Sequence, residues 1–80
     1  MFLEIITPDK QVFAGEVSSA TFPGAKGNFQ VLNNHAPLIS TLATGKVVLK
    51  TGTSEQTFVV EGGVVEVLNN KIILLAEAVL

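Results

Sequence analysis

The chain has 80 residues, a formal net charge of −2 and a hydrophobic content of 48%. This length predicts a single domain, residues 1–80, whose small core must be packed efficiently. The absence of cysteine excludes disulfides and thiolate metal sites, and five scattered lysines without any arginine argue against nucleic-acid binding.

Short strands separated by turn residues make up the first part of the sequence. Apolar and β-branched residues at 2–7 precede Pro8-Asp9-Lys10, a turn signal that separates them from a short strand at 11–14. Residues 17–22 alternate small polar and apolar side chains, and a loop containing proline and glycine follows at 23–27. This pattern predicts three strands before the middle of the chain.

The segment 28–45 holds the only histidine, His35, which is followed by Ala36-Pro37. Apolar and polar positions alternate on both sides of it, and a residue before proline is biased towards extended backbone. We therefore predict strand structure on each side of a loop shaped by His35 and Pro37. The apolar positions of these strands are Phe29, Val31, Leu38, Ile39 and Leu42.

The chain is completed by four further strand patterns, at 46–50, 57–61, 64–68 and 71–76. Gly62-Gly63 indicates a bulge or a close approach of backbones between two of these strands. Asn69-Asn70 fits a two-residue type I′ turn, since asparagine tolerates positive φ. About nine or ten short strands at this spacing predict an all-β sandwich or barrel.

His35 is the one imidazole that could act as a general base in a hydrolase, with a carboxylate such as Glu61 or Glu66 to orient it. Ser40 and Thr41 are too close to it in sequence to be trusted as partners. The favoured interpretation is a loop histidine that hydrogen-bonds to the backbone and shapes a turn.

The sequence shows no pattern typical of a metal site, a phosphate loop or a membrane-spanning segment. One histidine and seven separated acidic residues show no metal-ligand spacing, and residues 24–27 lack the remaining pattern of a phosphate loop. No apolar run approaches the roughly 18 residues that span a bilayer, and the N-terminus lacks a signal-peptide pattern. We expect no catalytic residue, no cofactor, no metal site and no direct membrane insertion.

The apolar content exceeds what a tight core of this size needs, so we expect an exposed apolar surface that binds a partner. Two classes of function fit this expectation. One is a structural subunit that binds other proteins. The alternative is a stand-alone small β-sandwich that binds a ligand or peptide in a deep apolar pocket.

Several ordered motifs resemble the epsilon subunit of bacterial F-type ATP synthases. They are FPGAKGNF at 22–29, NHAPL at 34–38, LATG at 42–45, VEGGVVEV at 60–67 and NKIILLAEA at 70–78. The match extends over essentially the whole chain. It implies a ten-stranded β-sandwich, a flattened barrel of short antiparallel strands, on the central stalk of the synthase.

In that family the domain binds the foot of the gamma subunit and rests on the c ring, so that proton-driven rotation of the ring reaches gamma. The resemblance implies ring contacts at Gly27, Asn28, Phe29, Asn34 and His35. It implies gamma contacts at Thr7, Ser40 and Leu42. Asn28 stands where family members often carry an acidic residue.

The resemblance also implies a peripheral location on the cytoplasmic face of the bacterial inner membrane, as part of the synthase. Family members commonly continue into a C-terminal pair of helices that can inhibit ATP hydrolysis and in some cases bind ATP. The resemblance implies that residues 1–80 lack this pair, so we expect neither activity from them.

Overall fold

The computed structural model describes residues 1–80, which form eight β-strands and no helix. The strands are β1 Phe2–Ile6, β2 Gln11–Glu16, β3 Ser19–Phe22, β4 Phe29–Leu32, β5 Leu38–Leu42, β6 Gly45–Thr51, β7 Ser54–Leu68 and β8 Lys71–Val79. The all-β prediction is confirmed. The number of strands is eight, however, and the expected count of ten is not reached.

The lower count arises mainly at Gly62-Gly63, where the sequence suggested a break between two strands. The structure has one 15-residue strand, β7, that passes through both glycines. Its register with β8 is the same on either side, because Glu61 lies opposite Ala78 and Gly63 lies opposite Ala76. Gly62 and Gly63 have φ values of 62° and 135°, which side chains rarely adopt, so the pair bends the strand without ending it.

The bend lets one edge of β7 pair with two different strands. Leu42 of β5 lies opposite Gly63, and Gly45 of β6 lies opposite Val60. The strand order is β2-β1-β8-β7-β6-β3-β4, with β5 also on β7. All pairs are antiparallel except β1 with β8, which is parallel and departs from the expected antiparallel arrangement.

The sheet thus has two halves that share β7. We call β2, β1, β8, the C-terminal part of β7 and β5 the β1 half, and the N-terminal part of β7 with β6, β3 and β4 the β3 half. Sixteen buried hydrophobic residues from both halves form one core cluster. Phe13 of β2 contacts Phe58 of β7 edge to face with ring centroids 5.8 Å apart, so the halves face each other across this core.

Alternation along the strands explains which side chains enter the core. In β1, Leu3 and Ile5 are fully buried, whereas Phe2, Glu4 and Ile6 lie on the other side of the strand. The predicted turn between β7 and β8 is confirmed, since Asn69 and Asn70 have φ values of 51° and 59°.

Candidate functional site

The outward side of the β1 half carries large apolar side chains that the core does not use. Ile39 of β5 lies opposite Glu66 of β7, which lies opposite Ile73 of β8. In the next row Thr41, Val64, Leu75 and Ile6 are neighbours. We call these outward residues the outer face: Phe2, Glu4, Ile6, Ile39, Thr41, Val64, Glu66, Leu68, Lys71, Ile73 and Leu75.

Four of these side chains are markedly exposed: Ile39 at 70%, Leu75 at 54%, Leu68 at 49% and Val64 at 38%. The sequence of β8 explains part of this. Ile72 and Leu74 point into the core, so the intervening Ile73 and Leu75 must point outward although they are equally apolar. A strand that is apolar on both sides is typical of one covered on both sides, and here the outer cover is absent.

The charged groups of the outer face are predominantly carboxylates. Glu4 lies within it and accepts a 2.7 Å hydrogen bond from Gln11 Nε2, while Lys71 Nζ lies 3.7 Å from its Oε1. Glu66 is exposed in the middle of the face, and Glu77 is exposed further along β8. A partner surface of opposite charge would therefore bring basic side chains around an apolar centre.

The outward side of the β3 half has a different character. Most of its side chains are polar or charged, among them Thr21, Gln30, Lys46, Lys50 and Thr57. Leu32, 53% exposed, is the large apolar side chain at its edge. The two outward sides are thus chemically distinct, and the apolar one is the candidate docking surface.

The loop between β4 and β5 contains His35, which is half-buried. Its backbone N–H donates to the Leu32 carbonyl at 3.1 Å, and its ring Nδ1 lies 2.7 Å from the Ala36 carbonyl oxygen. The imidazole makes no hydrogen bond with a hydroxyl or carboxylate side chain. This arrangement shapes a turn and supplies neither the nucleophile nor the orienting carboxylate of a hydrolase.

The other predicted ring-contact segment lies away from His35. Gly27 and the exposed Asn28 precede β4, whereas Asn34 and His35 follow it, so the two segments lie at opposite ends of this strand. Phe29 packs against Phe22 with ring centroids 5.6 Å apart. A surface hollow of about 460 Å³ lies between this loop and β5 and is lined by Gly24, Ala25, Lys26, Gly27, Phe29, Ile39, Ser40 and Thr41.

The three predicted gamma-contact residues occupy different environments. Thr7 closes the turn after β1 by donating from its backbone N–H to the Lys10 carbonyl at 2.9 Å, and it lines a hollow of about 390 Å³ at the end of the outer face. Ser40 is half-buried opposite the buried Val65. Leu42 is 6% exposed and belongs to the core, so the structure gives it a packing role.

The exposed apolar residues of the outer face were not among the predicted contacts. The signal that could have revealed them is the run Ile72-Ile73-Leu74-Leu75, because a strand with one solvated side would alternate apolar and polar residues.

The hollow beside Thr7 is lined by Ile6, Thr7, Pro8, Leu75, Ala76 and Glu77. This hollow is a shallow depression open to solvent, whereas a ligand-binding module is expected to have a deep apolar pocket.

No group of three or more histidine, cysteine or acidic side chains is arranged to hold a metal ion. The structure has no helix that is long and apolar enough to cross a membrane.

The whole chain, residues 1–80, matches the family described as ATP synthase, Delta/Epsilon chain, beta-sandwich domain. The ATP synthase epsilon chain of Chlorobaculum tepidum is 51% identical over 78 residues, which cover 96% of this chain and 89% of that protein. The epsilon chain of Caulobacter vibrioides is 39% identical over 77 residues, or 96% and 90% of the two chains. That of Maridesulfovibrio salexigens is 42% identical, but the match covers only 54% of its length.

Two solved structures share the fold. A chain of the Euglena gracilis mitochondrial ATP synthase superposes with a TM-score of 0.91 at 21% identity, covering 98% of this chain and 51% of that one. A chain from the central stalk and c-ring structure of the Tetrahymena thermophila mitochondrial ATP synthase has a TM-score of 0.86 at 17% identity, covering 100% and 65%. At sequence identities of 21% and 17%, these similarities show a shared fold and nothing more.

Proposed function

The chain belongs to the delta/epsilon family of ATP synthase chains, whose β-sandwich domain it matches over residues 1–80, and on this premise we propose that it is a rotor subunit joining gamma to the c ring. The observation that carries the proposal is the apolar outer face of the β1 half, which has no cover within the chain. The relatives named epsilon chain and the central-stalk origin of one structural neighbour support it.

The outer face is the proposed contact for the gamma subunit. A standard interface takes about 800 Å² per partner, or about one sixth of the 4609 Å² surface of this chain. The hollow beside Thr7 adjoins the outer face, because Ile6 and Leu75 line it, and it is included in the proposed contact. Of the predicted gamma contacts, Thr7 therefore remains in the proposed interface, whereas Ile39 and Leu75 replace Leu42 as its apolar anchors.

The chemistry of the outer face defines its partner. The gamma surface that fits it has an apolar centre for Ile39, Val64 and Leu75, and lysine or arginine side chains near Glu66 and Glu77. The buried apolar centre supplies most of the binding free energy. The charged rim steers the two surfaces together and selects their orientation.

The two loops at the ends of β4 are the proposed contacts for the c ring. Asn28 and Asn34 are exposed and carry uncharged amides that donate and accept hydrogen bonds. These amides would bind the polar surface of the ring through hydrogen bonds and complementary shape, and ion pairs would contribute little. His35 contributes through the shape of its loop.

The proposed mechanism is mechanical. The chain clamps gamma to the ring so that both turn as one body and proton flow is coupled to ATP synthesis elsewhere in the complex. A continuous sheet held by 38 backbone hydrogen bonds between its strands, together with one core, makes the chain stiff enough to transmit torque. The chain itself is proposed to be non-catalytic, to need no cofactor and to lie peripherally on the cytoplasmic face of the bacterial inner membrane.

A pair of substitutions tests the gamma contact. Leu75→Glu places a charge on the outer face, and Leu32→Glu places the same charge at a residue of nearly equal exposure, 53% against 54%, on the β3 half. We expect Leu75→Glu to weaken binding to isolated gamma at least tenfold, while Leu32→Glu changes it about twofold or less. Equal effects of the two variants, or none from Leu75→Glu, would contradict the proposed contact.

A further inference from the structure

The turn between β7 and β8 is joined directly to the loop that contains His35. The backbone N–H of Asn34 donates a 2.8 Å hydrogen bond to the side-chain oxygen Oδ1 of Asn70. The two residues are 36 positions apart in the sequence. The same turn is fastened to the neighbouring strand, because Phe2 N–H donates to the Asn70 carbonyl at 3.2 Å.

Both residues of this contact have left-handed backbone conformations. Asn34 has a φ of 63° and Asn70 has a φ of 59°. Backbone groups in such turns have few partners within their own segment, so the Asn70 side chain provides an acceptor that the loop itself lacks. The loop is also held on its other side, where the Met1 α-amino group donates to Asn33 Oδ1 at 2.9 Å.

The position of this turn gives the contact its significance. β7 and β8 carry Val64, Leu68 and Leu75 of the outer face, and the turn is the end of that same hairpin. The Asn70 side chain therefore connects the strands of the proposed gamma contact with the loop of the proposed ring contact. The hydrogen bond is exposed, so it joins the loop to the hairpin at the surface and is not part of the core.

We propose that Asn70 is a positioning residue that holds the Asn34–His35 loop in a fixed place relative to the outer face, so that the gamma and ring contacts move as one body. The positioning role rests on the proposed rotor function. The hydrogen bond itself is a property of the chain and is measurable without any partner.

Two glycine substitutions in the turn separate the side-chain contact from the turn conformation. Asn70→Gly removes the acceptor, and Asn69→Gly is the matched control, since Asn69 also has a positive φ of 51° but does not bond to Asn34. Glycine adopts the left-handed conformation readily, so both variants keep the turn. Asn70→Asp retains an oxygen acceptor and is the conservative variant expected to restore the contact.

The first measurement is amide hydrogen exchange of the free chain by NMR. We expect Asn34 N–H to exchange about two- to tenfold faster in Asn70→Gly than in Asn69→Gly, with wild-type protection largely retained in Asn70→Asp. Unchanged melting temperatures of the three variants would show that the effect is confined to the loop. Equal Asn34 exchange in the two glycine variants would overturn the proposal.

The second measurement is binding of the preformed complex of the chain with gamma to the isolated c ring. We expect Asn70→Gly to lower the affinity for the ring several-fold without changing the affinity for gamma, and Asn69→Gly to change neither. Faster exchange of Asn34 with an unchanged ring affinity would overturn the positioning role. Failure of the wild-type chain to bind the ring would instead refute the rotor function, and the positioning role with it, while leaving the hydrogen bond established by exchange.

Discussion

Gly63 of β7 faces Ala76 of β8 with no room for a side chain between them. A Cβ atom on Gly63 would lie 3.0 Å from Ala76 Cα and would overlap the Leu75 carbonyl oxygen. The close approach occurs where β7 bends and passes from β6 to β5 as its partner. The fold of both halves therefore depends on the absence of one side chain.

Gly63→Ala should destabilise the chain strongly. The added methyl group meets backbone atoms of β8, and alanine is also strained at a φ of 135°. We expect a loss of about 2–4 kcal/mol in the free energy of unfolding, seen as a fall in melting temperature of about 10 °C or more. Gly27→Ala is the control, because Gly27 has a similar φ, 127°, but a Cβ there meets nothing within 4 Å. A comparable loss in both variants would show that backbone strain alone, and not the close approach, is responsible.

Leu42 and Ile39 should respond in opposite ways to truncation. Leu42 is 6% exposed in the core and Ile39 is 70% exposed on the outer face of the same strand. Leu42→Ala should lower the free energy of unfolding by about 2–4 kcal/mol through loss of core packing. Ile39→Ala should change it by about 0.5 kcal/mol or less and weaken gamma binding instead. Chemical denaturation and binding titrations of both variants measure this, and a stable Leu42→Ala variant with reduced gamma binding would reverse the assignment.

His35→Ala should cause no loss of hydrolytic activity, because the His35 ring bonds to no hydroxyl or carboxylate side chain. The imidazole bonds to the Ala36 carbonyl and to no nucleophile. We expect both the parent and the variant to hydrolyse generic ester and phosphate substrates at the background rate, and the loop hydrogen bond to contribute about 1 kcal/mol or less to stability. Turnover by the parent that disappears in the variant would revive the hydrolase interpretation.

The strands and turns were predictable where the signal is local. Asn69-Asn70 between two apolar runs specifies a type I′ turn because few other residues tolerate two successive positive φ angles. The continuity of β7 was not predictable in this way. Whether two glycines end a strand or bend it depends on partners from β5, β6 and β8, which only the folded sheet brings together.

The sequence predicted that an exposed apolar surface exists, but not which residues form it. Composition indicated an exposed apolar patch, and the four exposed side chains that form it are Ile39, Val64, Leu68 and Leu75. β5 has apolar residues on both of its sides, at Ile39 and at Leu42, so its alternation does not reveal which side is inward. The parallel pairing of β1 with β8 brings the first and last strands together, and no local sequence pattern predicts such a pairing.

Retention of gamma on an immobilised c ring, measured with and without the chain, tests the central claim most directly. The claim predicts that the wild-type chain increases the amount of gamma held on the ring, and that Leu75→Glu lowers this increase at least tenfold. Retention that is the same with and without the wild-type chain would contradict a subunit that joins gamma to the ring.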